Sequence, residues 1–196
     1  YPLKPRQETA AKILIEQERV WRKKPSLRAI YASYFQAVFS YCLPGKTLEV
    51  GAGFGGLKNC GYEVISTDVV SMPTVDVVSD AQSLPFASGS FENIVAIDVF
   101  HHLERPIRFL REARRVLGSN GRLVMLEPGI TPVSHWFYRR FHSEPVVMGA
   151  DVLADGPVDR RRDPFAANQA FATLLVTRFK EELQATVPRM NIRSYR

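Results

Sequence analysis

In the N-terminal part of the chain, apolar positions recur at three- and four-residue intervals. Beyond it they gather into short runs separated by glycine, proline and polar turns. The first pattern predicts helices. One covers residues 8–22 and has a charged outer face. A second begins at Pro25-Ser26, with Ser26 as N-cap, and reaches about Cys42. Its apolar residues Leu27, Ile30, Tyr31, Tyr34, Val38 and Tyr41 keep helical spacing until Pro44-Gly45 stops it. The second pattern predicts strands at 47–50, 63–67, 75–78 and 93–97, the last an unbroken apolar run suited to a strand covered on both faces. Pro106 opens a helix to Leu117, with Ile107, Leu110, Ala113 and Leu117 inward and Arg108, Arg111, Arg114 and Arg115 on a solvated face. Asn120-Gly121 turns into a fifth strand at 122–126. A helix at 133–142, a long loop at 143–165, a helix at 166–184 and a sixth strand at 191–195 complete the pattern.

Strands alternating with turns or helices predict an α/β fold: a doubly wound, mostly parallel sheet in a single domain. One connection is unusual. Only residues 69–75, with Pro73 among them, separate the second and third strands. A helical crossover needs at least ~10–12 residues, so an extended link is expected in its place. No sequence remains for a seventh strand, and the sheet is expected to lack its last one, as in a shortened chain. The expected organisation has three parts. Residues 1–46 are N-terminal helices packing on the core, residues 47–128 form a ligand-binding core, and residues 129–196 supply a substrate-side lid and the C-terminal part of the same domain.

The composition, 45% hydrophobic and 23% charged over 196 residues, excludes a disordered tail, a collagenous chain and a disulfide scaffold. No apolar run approaches the ~20 residues that span a bilayer. The two cysteines, Cys42 and Cys60, have neither C-x-x-C nor metal spacing, and reduced thiols of a cytoplasmic protein are expected. The net charge of +6 is uneven. Residues 1–46 hold nine basic and three acidic side chains, residues 47–128 seven and ten, and residues 129–196 ten and seven. A basic surface admits nucleic acid, but a merely solvated surface is the simpler reading.

The chemistry gathers around the first strand. Leu48-Glu49-Val50-Gly51-Ala52-Gly53-Phe54-Gly55-Gly56 is a strand running into a glycine turn. Such a turn lets a ligand approach the backbone closely, and Asp68 at the end of the second strand can accept both hydroxyls of a ribose. That much implies a nucleoside cofactor. Glu49, two residues before the first glycine, suits a cationic sulfonium and would repel a pyrophosphate. Asp80, after the third strand, can accept an adenine amine.

Taken together, Leu-Glu-Val-Gly-Ala-Gly-Phe-Gly at 48–55, Asp68, Asp-Ala-x-x-Leu-Pro-Phe at 80–86, Ser90-Phe91, Asp98-Val99-Phe100-His101-His102-Leu103, Glu112 to Leu117, Asn120 to Leu123 and Glu127-Pro128 resemble the class I S-adenosylmethionine-dependent methyltransferases, type 11 small-molecule group. The resemblance implies a Rossmann-like sheet, S-adenosyl-L-methionine as cofactor and a small-molecule acceptor. It also implies roles by position. Glu49, Gly51, Ala52 and Gly53 would hold the methionine part. Asp68 would bind the ribose, Val69 would lie against the adenine, Asp80 and the Ala81 amide would read its edge, and Asp98 would close the methionine side.

For a hydroxyl acceptor, a general base is wanted. His101 and His102 stand beyond the fourth strand, at the sheet edge where open α/β proteins bind ligands. Adjacent residues point differently, so one of the two at most is expected to face the site. In helix 133–142, His135, Tyr138, Arg139 and His142 share one side and Val133, Phe137 and Phe141 the other, so an apolar face is expected to dock. The polar face, with Glu144 beyond it, would then cover an acceptor bearing a hydroxyl or an acidic group. His101, His102 and His142 are the candidate bases, and Tyr138, Arg139 and Glu144 the candidate acceptor contacts. His135 and His142, at i and i+7, are too far apart for a metal pair, and no metal is expected. The competing classes are an RNA methyltransferase, a nicotinamide oxidoreductase and a non-catalytic S-adenosylmethionine-binding protein. No Pro-Pro pair of the base-methylating kind is present, and neither is the Tyr-x-x-x-Lys of short-chain dehydrogenases.

Overall fold

A computed structural model describes residues 5–159 and 161–194. Helix α1 (Pro5–Lys23) and helix α2 (Pro25–Ser40) precede the sheet. Strand β1 (Thr47–Val50) is followed by the single turn α3 (Gly56–Asn59), then β2 (Ile65–Asp68), β3 (Val77–Val78) and β4 (Phe91–Ile97). A 3-10 turn at Phe100–His102 leads to α4 (Pro106–Val116) and β5 (Leu117–Leu126). Helices α5 (Pro132–Phe141), α6 (Phe171–Thr177) and α7 (Lys180–Thr186) follow.

The five strands lie in the order β3-β2-β1-β4-β5 and pair in parallel throughout. The order reverses on either side of β1, which puts the glycine turn after β1 at the crevice where such sheets bind ligands. Period-two alternation along β4 serves both faces of the sheet. Ile94 and Ala96 join the core formed with α4, α6 and α7, whereas Val95 packs with Phe35 and Val38 of α2. The expected doubly wound α/β sheet is therefore present.

No helix crosses between β2 and β3, as the short spacing predicts. The face it would have covered is not bare. Ala10 and Leu14 of α1 pack on Val70 and Met72 of the link, with Phe165 alongside. The link is also fixed to the glycine turn. Gly55 has φ +80, and a Cβ there would lie 2.4 Å from the Thr74 side chain. Lys58 donates to the Thr74 carbonyl and pairs with Asp76.

Several local expectations need correction. The N-cap of α2 is Lys24, with Pro25 in the first turn and no side-chain cap, so Ser26 lies inside the helix. The buried side of α2 is Phe35 and Val38, with Tyr31 beside them, while Ile30, Tyr34 and Tyr41 are exposed. An apolar stripe almost all the way round this helix hid its orientation. Asn120-Gly121 continues β5 from Leu117 rather than turning into it. The helix expected at 166–184 is two short helices broken at Arg178-Phe179. Residues 191–194 form no strand, and Tyr195 lies outside the described residues. The arginines of α4 do more than meet solvent. Arg115 donates to the Phe86 and Leu84 carbonyls and pairs with Glu112, and Arg111 pairs with Asp155.

The Gly55–Thr74 contact makes the first prediction. Gly55→Ala meets both a left-handed backbone and a collision, and should cost about 2 kcal/mol. For a chain of this length that is a fall in Tm of roughly 4–8 °C. Gly61→Ala is the control: φ is +84 but nothing lies within 4 Å of the added methyl, so only the ~1 kcal/mol backbone penalty remains. Equal melting temperatures for the two variants would rule the collision out.

Candidate functional site

One cleft of 1540 Å³ runs along the carboxyl edge of the sheet. At one end are the turn after β1, Glu49, Asp68, Val69, Asp80 and Ala81. At the other are Asp98, His101, His102, Tyr138, His142 and Glu144. Gly51 (φ +69) and Gly53 (φ +56) take left-handed conformations that leave the backbone open toward the cleft, and a Cβ at Gly51 would strike Val99 at 2.4 Å.

Glu49 is only 7% exposed, and its Oε2 has no hydrogen-bond partner. Burial pushes its carboxyl up to about 8, against the opposing pull of Lys58 and with help from Asp68 and Asp76. A buried, unpartnered carboxyl facing a cleft is satisfied by a cationic ligand. Asp68 is held in place. Its Oδ2 accepts from the Gly53 amide at 2.8 Å and its Oδ1 from the Val70 amide at 2.8 Å. Each oxygen keeps a lone pair for a further donor. Burial raises the Asp68 carboxyl despite those amides. Val69 is an exposed apolar side chain beside it, as a flat base would need. Asp80 accepts from the Gln82 amide at 2.8 Å and from its side-chain nitrogen at 3.0 Å. This fixes the Asp80 carboxylate at the cleft and leaves part of its accepting capacity free. These residues fit the adenosyl and methionyl groups that the sequence resemblance implies.

The other end turns on a residue that sequence reasoning missed. Glu127, at the end of β5, accepts from the Val99 and Phe100 amides at 2.8 and 2.7 Å and meets His101 Nδ1 at 2.6 Å. Its signal was the Glu-Pro pair closing the fifth strand. Asp98, with φ +56, starts the bend that carries the chain over Glu127. Its carboxyl is pushed up to about 6 by burial and by Glu127, against the pull of His101. Burial lowers the His101 value, but the Glu127 bond and the charges of Glu127, Glu144 and Asp98 outweigh it and leave the imidazole above its ordinary range. His102 moves the other way, lowered by burial and by the neighbouring His101.

Both histidines line the cleft, contrary to the expectation that one at most would do so. Strand alternation does not apply here, because the chain has already turned into the 3-10 turn, and the two rings sit 4.2 Å apart. Helix α5 also departs from expectation. Its N-terminus is fixed by a Thr131–Ser134 capping box, but none of its residues is buried. Tyr138 and His142 face the cleft, while Val133, Trp136, Phe137 and Phe141 face solvent. Arg139 is exposed and outside the cleft lining, so it is no acceptor contact in this arrangement. Arg161 and Arg162 line the cleft instead, and Arg162 donates to the His102 and Ala166 carbonyls. Glu144 reaches His101 Nε2 at 3.8 Å and is held by Gln169. Tyr31 of α2 and Trp21 of α1 add aromatic wall that sequence spacing did not assign to the site.

Residues 48–125 match the family model described as a methyltransferase domain. Over 82 residues the chain is 39% identical to a ubiquinone/menaquinone biosynthesis C-methyltransferase of Paracoccus denitrificans, covering 40% of this chain and 33% of that protein. Over 51 residues it is 47% identical to a demethylmenaquinone methyltransferase of Thermotoga maritima, covering 26% of this chain and 22% of that protein. The chain thus spans a third or less of the length of these curated relatives. In fold it is similar to a crystal structure from Thermotoga maritima described as an S-adenosylmethionine-dependent methyltransferase, possibly of histamine. The TM-score is 0.50 at 23% identity, over 59% of this chain and 58% of that one.

The isolated Glu49 carboxyl makes stability depend on pH. Its value lies above the ordinary 4.5, so between there and about 8 the folded chain holds a proton that the unfolded chain has released. Its contribution to stability therefore falls as pH rises through that window. Glu49→Gln removes the liability and should melt higher than the parent at about pH 8, with the gap closing toward about pH 5. Thermal melts at the two pH values check this, and a lower Tm for the variant at the higher pH would contradict it.

Proposed function

We propose that the protein transfers a methyl group from S-adenosylmethionine to a hydroxyl-bearing small molecule lying under α5. The observation that carries this reading is the continuity of the cleft. A cradle suited to an adenosyl sulfonium, formed by the turn after β1 with Glu49, Asp68 and Asp80, opens directly onto a buried His–carboxylate pair. The methyltransferase match over 48–125 supports the same donor.

When bound, the donor supplies an electrophilic methyl group on a cationic sulfur. Glu49 would stabilise the positive charge of its aminoacyl end, and Gly51, Ala52 and Gly53 would let that end approach the backbone. Asp68 would accept from the ribose hydroxyls. Val69 would offer an apolar surface to the adenine, Asp80 and the Ala81 amide would bind its polar edge, and Asp98 would close the methionine side. Much of the acceleration comes from alignment, worth up to ~7–11 kcal/mol in well-ordered systems.

At the acceptor end, Glu127 holds the proton on His101 Nδ1 and so leaves Nε2 as the proton acceptor. Tyr138, His142 and Glu144 line the space around it. With Asp98, Glu127 and Glu144 all close to His101, an anionic group is repelled from the reacting position, so the acceptor presents a neutral hydroxyl there. Ionising a phenol or enol activates its oxygen and the carbon conjugated to it alike, so the same base serves either site of methylation. The Paracoccus relative, a C-methyltransferase, is of the second kind. Among the described residues no helix is long and apolar enough to cross a membrane. We place the protein in the cytoplasm on its free cysteines, Cys42 and Cys60, and treat nucleic acid as disfavoured, since Arg162 is engaged with backbone carbonyls.

Calorimetry with S-adenosylmethionine tests the donor. Asp68→Ala should weaken binding by about 1.5–3 kcal/mol, the size of hydrogen bonds to a charged group, or roughly 10- to 150-fold. Heat from a nicotinamide dinucleotide and none from S-adenosylmethionine would overturn the reading. Steeply salt-dependent RNA binding would move the acceptor to nucleic acid. For the chemistry, kcat should rise with pH through an apparent value above the ordinary ~6.5 of histidine. His101→Ala should flatten that limb, whereas an unchanged profile would leave alignment as the mechanism.

A further inference from the structure

We infer that His101, His102 and Glu144 form a binding site for one divalent transition-metal ion, with zinc as the representative, at the floor of the acceptor end of the cleft. One ligand atom from each residue lies within 4.8 Å of the other two. The His101 Nε2–Glu144 Oε2 separation is 3.8 Å. Zinc bonds of ~2.0–2.2 Å close the triangle once Glu144, carried on the segment after α5, moves inward. Two imidazoles and a carboxylate are the donor set of open zinc and iron(II) sites, which keep positions for an exogenous ligand.

The surrounding contacts are those such a site needs. Metal-bound histidines normally donate their other ring N–H to a carboxylate or a carbonyl, which fixes the tautomer. His101 does so through Nδ1 to Glu127 at 2.6 Å. His102 lies against the Ala166 carbonyl, and its Nδ1 is buried with no partner. That unpartnered Nδ1 is the His102 atom free to bind something. Glu144 is oriented by the Gln169 amide. Coulomb's law points the same way. With both imidazoles neutral, Asp98, Glu127 and Glu144 bring three negative charges to one wall, and a divalent ion balances most of them.

The sequence pattern directed attention to the wrong pair. His135 and His142 share a helix, but the competent set joins neighbours in a 3-10 turn to a glutamate more than one element away. An ion held there has open positions toward the cleft and would bind an acceptor through a hydroxyl or a pair of adjacent oxygens. An ion on His101 Nε2 takes the lone pair that serves as general base in the metal-free site, so the loaded site would instead activate an acceptor hydroxyl by coordination. Ion binding itself does not depend on the methyl-transfer reading, because it can be titrated with no donor present.

The test is zinc titration of the chelator-stripped chain by calorimetry, with S-adenosylmethionine titrated separately. One ion per chain is expected. His102→Gln and Glu144→Gln should each weaken it at least ~10-fold, and Glu127→Gln, acting through His101, by ~10- to 100-fold. Cys60→Ser should leave it unchanged, since this exposed thiol is the commonplace zinc ligand elsewhere on the surface. Far-ultraviolet circular dichroism and melting temperatures matching the parent's show that the variants fold. No zinc uptake, equal uptake by the His102 and Glu144 variants, or loss only in Cys60→Ser would each overturn the site. Zinc uptake as expected without any S-adenosylmethionine binding would leave the site standing and remove the donor reading alone.

Discussion

The acceptor end of the molecule depends on one buried carboxylate. Glu127 leaves the end of β5 and accepts two consecutive amides, Val99 and Phe100, from the chain that has just left β4, and then the His101 ring. Those amides are the unpaired donors at the start of a 3-10 turn, and a carboxylate is the strongest acceptor they can be given. Two neighbouring parallel strands, whose ladder runs to Ile97 and Leu126 with the Asp98 amide donating to the Leu126 carbonyl, are thereby joined just beyond its end by a charge as well. The position of His101, the left-handed bend at Asp98 and the exposure of His102 to the cleft all follow from that bond. Removing the carboxylate would leave three donors short of an acceptor in a site that little water reaches.

What was legible from sequence alone was the part governed by short-range rules. The strand at 47–50, the glycine turn, the strand at 93–97 and the helix from Pro106 follow from periodicity, proline and glycine, and all are present within a few residues of where the pattern puts them. The missing crossover helix could be read from spacing, because chain length admits no alternative. Orientation was harder. Helix α2 is apolar on most sides, so its buried face was decided by what it meets, Leu57 and Val95. Helix α5 has a clear apolar face that an amphipathic rule turns inward, yet Trp136, Phe137 and Phe141 face outward while Tyr138 and His142 line the cleft. The polar side of this helix lines the cleft, while the apolar rings contact one another, Phe141 with Trp136 and Phe137, and no local pattern encodes that. Glu127 and Glu144 gain their importance from segments remote in sequence, which spacing along one element cannot reveal.

Charge is arranged in layers. Overall the chain is cationic, but the walls of its cleft are acidic where the chemistry would occur. Glu49 at one end and Asp98 with Glu127 and Glu144 at the other are carboxylates in poorly hydrated places. A sulfonium, an imidazolium or a metal ion is favoured there, and an anion is not. Apart from Arg161 and Arg162, the described lysines and arginines stand outside the cleft, and several basic residues are used as fasteners: Arg115 to the 84–86 segment, Arg162 to the carbonyls of His102 and Ala166. The net charge read from composition therefore says little about the field a ligand meets.

Helix α1 occupies the ground left free by the short link between β2 and β3. Ala10 and Leu14 close over Val70 and Met72, and Leu14 lines the cleft itself. The back wall of the cleft beside the glycine turn is thus shared between the heart of the sheet and α1. Sequence drift in α1 is therefore drift in the shape of the cleft, and this helix should evolve at the pace of the ligand and not of the surface.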